Sequence, residues 1–249
     1  MFRWLFVIVV IFALDREAAP FRRLAKRHRL PVRILVSGVG IEAAKRAMES
    51  INDAALVVSA GFCGSLNPAL RIGDVAVCPF SGEAESSEPS ARVATANVET
   101  RNRPHQAARA VAVAALGSAH GSEDSASPLN LVTVDRLVAT PDAKRRLREQ
   151  TGADIVDMEA EPIRRLCKSR GIPFLAVKAV SDTADTSLSP ALVNLLSAGR
   201  VSPMRALTAA LRRPAILFEF RRLARDTSIA ARRLAEHLVV IVQKSLSPV

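Results

Sequence analysis

Short runs of β-branched and aliphatic residues, each ending on glycine, serine or a carboxylate and separated by helical patterns, are what most restrict the fold of this chain. The runs occupy residues 6–12, 33–36, 55–59, 75–77, 131–134 and 174–180. Continuous apolar runs of this length fit strands buried on both faces of a sheet. Between them, 42–50 reads as helix after the turn Ser37-Gly38-Val39-Gly40. A second helix, 141–150, opens with Pro141 after Thr140 as its N-cap, and a third, 159–170, closes at Gly171 just before Pro173. Strand and helix alternate, so the expected fold class is α/β, a single domain with a central mixed sheet flanked by helices. The 249 residues suffice for such a core without metals or disulfides.

Residues 4–14 also resemble the apolar core of a signal peptide, behind one arginine. The run is too short for a bilayer, which takes about 20 residues, and no small-x-small cleavage site directly follows it. We read it as the first strand. Residues 81–128, rich in Ser, Ala, Glu, Gly and Pro, read as loop with one helical stretch at 106–116. After Pro190 the sequence becomes Leu/Ala/Arg-rich, with helical patterns at 203–212 and 214–238. The expected division is a main domain over 1–195 and a basic amphipathic helical extension over 196–249.

The net charge of +11 raises the question of nucleic acid, and its distribution answers it. Residues 200–249 hold ten Lys/Arg against three Asp/Glu, so the tail carries most of the excess. With no tyrosine and 4% aromatics, little is available to stack bases, and nucleic acid is not an expected partner. Three scattered cysteines, Cys63, Cys78 and Cys167, make neither a disulfide framework nor a metal site, which suits a reducing, cytoplasmic setting.

Ligand sites in open α/β sheets lie at the carboxyl ends of strands, so the polar residues released by each run are the candidates. They are Asp15 and Glu17, the Ser37–Gly40 turn, the segment Ser59-Ala60-Gly61-Phe62-Cys63-Gly64-Ser65, the pair Ser181-Asp182, and Asp157-Met158-Glu159 at a strand-to-helix junction. Each has a plain structural role open to it. Glycines after strands make turns, and Gly38-Val39-Gly40 lacks the third glycine and distal acid of a dinucleotide fingerprint. Asp182 can be an N-cap, Glu159 a first-turn residue in the helix dipole, and Cys63 a packing residue. No histidine follows a strand, which disfavours a Ser-His-Asp hydrolase. Pattern alone reaches an α/β enzyme with a carboxylate-lined site and no metal cluster.

In their order these segments resemble the purine nucleoside phosphorylase and methylthioadenosine/adenosylhomocysteine nucleosidase superfamily. The most specific stretches are Val156-Asp157-Met158-Glu159-Ala160, then Val177-Lys178-Ala179-Val180-Ser181-Asp182, and the glycine-rich strand-turn segment from Leu56 to Pro68 followed by Gly73-Asp74-Val75. The resemblance implies that Asp182 protonates or hydrogen-bonds the purine N7, with Ser181 beside it. Glu159 would accept the ribose 2′ and 3′ hydroxyls, Met158 would lie beneath the sugar, Gly61 would allow close backbone approach, and Glu17 would activate water. Hexameric phosphorylases carry an arginine where this chain has Ser59, and without it phosphate is poorly held. The resemblance therefore implies a nucleosidase, with a phosphorylase using phosphate as co-substrate as the alternative and no other cofactor in either case.

Three positions depart from the nucleosidase pattern: Phe62 replaces a serine near the water, Lys178 replaces an arginine, and Arg136 stands where a phenylalanine flanks the base. They leave open a catalytically weak nucleoside-binding or membrane-peripheral protein. The tail, with Ala198-Gly199-Arg200, Leu211-Arg212-Arg213-Pro214 and the segment from Phe218 to Asp226, resembles the C-terminal extension of a hopanoid-associated branch linked to removal of adenine from adenosylhopane. That implies a lipid-linked substrate and a helix whose Ile216, Phe220 and Leu223 lie in the inner-membrane interface; the same helix packing on protein is the other reading. The resemblance also implies a homo-oligomer.

Overall fold

The computed structural model describes residues 7–79, 129–189 and 214–246. The loop with a helix expected within 81–128, and the helical pattern at 203–212, lie outside them. Among the described residues, seven strands and five helices follow in chain order: β1 (Ile8–Phe12), α1 (Asp15–Arg27), β2 (Val32–Val36), α2 (Ile41–Glu49), β3 (Leu56–Ser65), β4 (Val75–Pro79), β5 (Leu131–Thr133), α3 (Pro141–Thr151), β6 (Ile155–Asp157), α4 (Ala160–Ser169), β7 (Phe174–Asp182) and α5 (Pro214–Leu246).

The strands form one mixed sheet in which β3 is the hub. β1 pairs in parallel with β2 and β3, and β7 continues in parallel from the other side of β3. β4 is antiparallel to β7, while the last residues of β3, Gly64 and Ser65, turn to pair antiparallel with β6, which carries β5. Alternate side chains divide the core. Ile8, Val10, Phe12, Val58 and Val177 meet α1 and α5, whereas Val9, Ile11, Val57 and Ala176 meet α2 and α4. A smaller cluster of Leu66, Val132, Ala153 and Val156 packs with Leu147 of α3. Ile8–Phe12 of the first apolar run thus form a fully buried central strand.

Two elements differ from the sequence expectation. β3 does not turn after Ser59 but runs on to Ser65, because β7 on one side and β6 on the other take up its backbone groups. Its small residues answer to space rather than to a turn, and neither Gly61 nor Gly64 has a positive φ. α1 was not foreseen, since Pro20 sits in its interior, where it removes one helical hydrogen bond. Its buried stripe of Glu17, Ala18, Phe21 and Ala25 against the sheet holds it nonetheless.

α5 has 33 residues, a rod about 50 Å long at 1.5 Å per residue. From Ala230 to Val242 its inward stripe is part of the core beside α1 and β7. Nearer its start, Phe218 is 75% exposed among exposed Arg221, Arg222 and Arg225. Among the described residues no helix is long and apolar enough to cross a membrane.

Candidate active site

The second half of β3 seats two carboxylates, one at each end of the four-residue stretch from Gly61 to Gly64. Glu17 comes from the first turn of α1, whose position is set by the tight link from β1. Its Oε2 accepts the Leu14 backbone N–H at 2.9 Å, closing the helix start, and its Oε1 accepts the Phe62 N–H at 3.0 Å. A Cβ on Gly61 would lie 3.2 Å from Oε1, so the glycine is what lets the carboxylate reach the strand. Burial pushes the Glu17 pKa up from 4.5 to about 7, against the two backbone donors and the charge of Lys178.

Beneath Glu17 lies Lys178, in register with Gly61 across β3 and β7. Its ammonium is buried, forms an ion pair with Asp157 Oδ2 at 2.7 Å and donates to Ser59 Oγ at 3.2 Å. Burial disfavours that charge, but Asp157, Glu159 and Glu17 together outweigh it and hold the lysine pKa above its ordinary value. Asp157 also accepts the Thr133 hydroxyl at 2.6 Å and the Ala160 N–H at 2.9 Å, and Thr133 Oγ1 accepts the Glu161 N–H at 3.1 Å. These two side chains cap α4, which frees Glu159 from that task. Glu159 instead reaches across to accept the Gly40 N–H at 2.8 Å, and burial raises its pKa. Gly40 holds φ at +92°, which disfavours any other residue at this contact.

Asp182 ends β7 opposite Gly64. A Cβ on Gly64 would stand 3.0 Å from its Oδ2, so here too a missing side chain makes the seat. Oδ2 accepts Lys144 Nζ of α3, and the same ammonium donates to the Thr183 carbonyl at 2.6 Å. Oδ1 accepts the Ser181 hydroxyl at 3.2 Å, which also lies 3.3 Å from the Cys63 carbonyl. Lys144 is buried to 1% exposure, while the Asp182 side chain retains 14%. Among the described residues no helix starts at Asp182, so it is not an N-cap.

Of the residues picked from sequence, Glu17, Gly61, Phe62, Glu159, Lys178, Ser181 and Asp182 converge along β3 and β7, and half-buried Met158 lies between Asp157 and Glu159. Arg136 is not drawn into this network: its side chain is 90% exposed and lies 3.9 Å from Asp135. Cys63 is a buried free thiol. Sequence reasoning gave no role to Asp157, although a lysine amid the apolar run 174–180 demanded a buried carboxylate. It missed Lys144 altogether; the available signal was that Lys144 shares the inward stripe of α3 with Thr151. Among the described residues no group of three or more His, Cys, Asp or Glu is placed to hold a metal ion.

The sheet with its carboxylates set along one central strand defines an α/β protein with a carboxylate-lined site. Residues 17–198 match the phosphorylase superfamily, and the chain belongs to that family. It is similar to the 5′-methylthioadenosine/S-adenosylhomocysteine nucleosidase of Tolumonas auensis, 27% identical over 160 residues that cover 60% of this chain and 67% of that one. The fold is that of the Neisseria meningitidis nucleosidase of the same name in complex with methylthio-immucillin-A (TM-score 0.62, 21% identity, 97% of this chain and 100% of that one). It is also that of a futalosine hydrolase mutant from Helicobacter pylori (TM-score 0.61, 16% identity, 95% and 98%). The enzyme class expected from the sequence, an N-ribosyl hydrolase or nucleoside phosphorylase, is borne out.

Proposed function

We propose that the protein hydrolyses the N-glycosidic bond of a purine nucleoside, with adenine as the base. The observation that carries this reading is the seat of Glu17: a buried carboxylate fixed by two backbone donors, with a pKa raised to about 7, where a general base is most effective. Glu17 takes a proton from water as it attacks the anomeric carbon. Asp182, about 10 Å further along β3 at 3.3 Å per residue, meets N7 of the departing base. Glu159 accepts the ribose hydroxyls, with Met158 under the ring, and its charge favours the oxocarbenium character that develops as the bond breaks.

Water is preferred over phosphate because the cation nearest Glu17 is already engaged. Lys178 serves Asp157 and Ser59 and is flanked by Glu17 and Glu159, so a phosphate dianion there would meet carboxylates rather than an arginine fork. A homo-oligomer, no cofactor, a cytoplasmic location and a 5′-extended or lipid-linked adenosine substrate belong to the same proposal. Exposed Phe218 among arginines at the start of α5 supports peripheral membrane contact there.

The test is to incubate purified protein with methylthioadenosine, adenosine, inosine and a long-chain 5′-alkyl adenosine, with and without phosphate, and to follow free base by chromatography. Adenine release without phosphate is the expected result. Release only with phosphate would make the protein a phosphorylase, and binding without turnover would make it a nucleoside-binding protein.

A further inference from the structure

The two carboxylates at the ends of the site differ in what backs them, and the backing of Asp182 has no counterpart in the roles assigned above. We propose that Lys144 acts through Asp182 on the departing base, holding the carboxylate in place and supplying the proton that Asp182 hands to the purine. This inference rests on the hydrolase reading.

The geometry has three parts. Lys144 is buried to 1% exposure on α3, away from any ordinary solvent-facing role for a lysine. It spends its donors on Asp182 Oδ2 and the Thr183 carbonyl, so the end of β7 is tied to α3 at the residue that does the chemistry. Oδ2 is also packed against Gly64, which leaves Oδ1, held by the weaker Ser181 contact, as the oxygen that can turn to a ligand. A salt bridge serving stability alone would not need one partner left 14% open beside the strand that seats Glu17.

The step balances. The bond from the anomeric carbon to N9 breaks with its electron pair going to the base, while the Lys144 ammonium passes one proton by way of the Asp182 carboxylate to N7. Lys144 is left a neutral amine and Asp182 ends as the carboxylate it began as. Water adds its hydroxide to the sugar and gives its proton to Glu17. When products leave, Lys144 takes a proton back from solvent and Glu17 releases one, so the sum is nucleoside plus water giving sugar plus free base.

The experiment separates leaving-group assistance from folding. The wild type, Lys144→Met and Lys144→Gln are assayed on the preferred adenine nucleoside and on 4-nitrophenyl β-D-ribofuranoside, whose phenolate departs without being protonated. Both variants are expected to lose about 100-fold or more in kcat on the nucleoside while staying within about threefold of wild type on the aryl riboside, with Asp182→Asn showing the same split. Equal losses on both substrates, or no loss on either, in whichever variant folds, would overturn the role of Lys144. A wild type that cleaves neither substrate would instead overturn the hydrolase reading itself.

Discussion

Two buried lysines face opposite ends of this site, and their surroundings are not alike. Lys178 shares one positive charge among three carboxylates, Asp157, Glu159 and Glu17. Lys144 gives its charge to one, Asp182, with a backbone carbonyl as its second partner. The end with surplus carboxylate can take up a proton, and the other end holds an ammonium N–H against its single carboxylate. A nucleoside hydrolase needs that polarity, because water must lose a proton on one side of the sugar while the base gains one on the other.

The largest expected effects probe the two ends separately. Glu17→Gln should lower hydrolysis by about 1,000-fold on purine nucleosides and aryl ribosides alike, since both need the water, as steady-state kinetics on the two substrate classes will check. Lys178→Met should cost about 3–5 kcal/mol of stability, because Asp157 is wholly buried and would be left unpaired. Urea unfolding compared with Lys144→Met sharpens the contrast: the second loss should be the smaller, as Asp182 is partly open and can be rehydrated.

The pH dependence comes next. Glu17 must be ionised to act, so kcat/KM should fall as pH drops below about 7. Its folded pKa lies above the 4.5 of the free group, so folding favours the protonated form. That contribution is fully present below pH 4.5 and is lost as pH rises through about 7, a change on the order of 3 kcal/mol that Glu17→Gln should remove from the stability profile. The smallest effects belong to the glycines. Gly64→Ala should disturb Asp182 and reduce nucleoside cleavage by roughly tenfold while sparing the aryl riboside, whereas Gly61→Ala, against Glu17, should reduce both.

Much of this was legible in the chain itself. The strands β1, β4, β5 and β7 are largely buried apolar runs, and β2, a half-buried edge strand, shows in the sequence by the same pattern. The helices α2, α3 and α4 carry their own stops and starts, such as Thr140, whose hydroxyl accepts the Ala143 N–H at 3.3 Å, and Gly152 with φ at +67°. Glu17, Glu159 and Asp182 were visible because each follows an apolar run. α1 was hidden by Pro20, since local propensity argued against a helix that only packing on the sheet sustains. The extent of β3 was hidden because glycine-rich sequence signals turns, and only pairing with β6 and β7 keeps it extended.

The sequence by itself determined the layers, because alternating apolar runs and amphipathic segments have few ways to bury their faces, and it marked which carboxylates stand at strand ends. Which cation serves which carboxylate was decided by tertiary structure alone. Lys178 meets Asp157, and Lys144 meets Asp182 from 38 residues away, through the crossing of strands and a helix. Charge pairing depends on distances of a few ångströms and on exclusion of water, and neither is written in the local pattern of the chain.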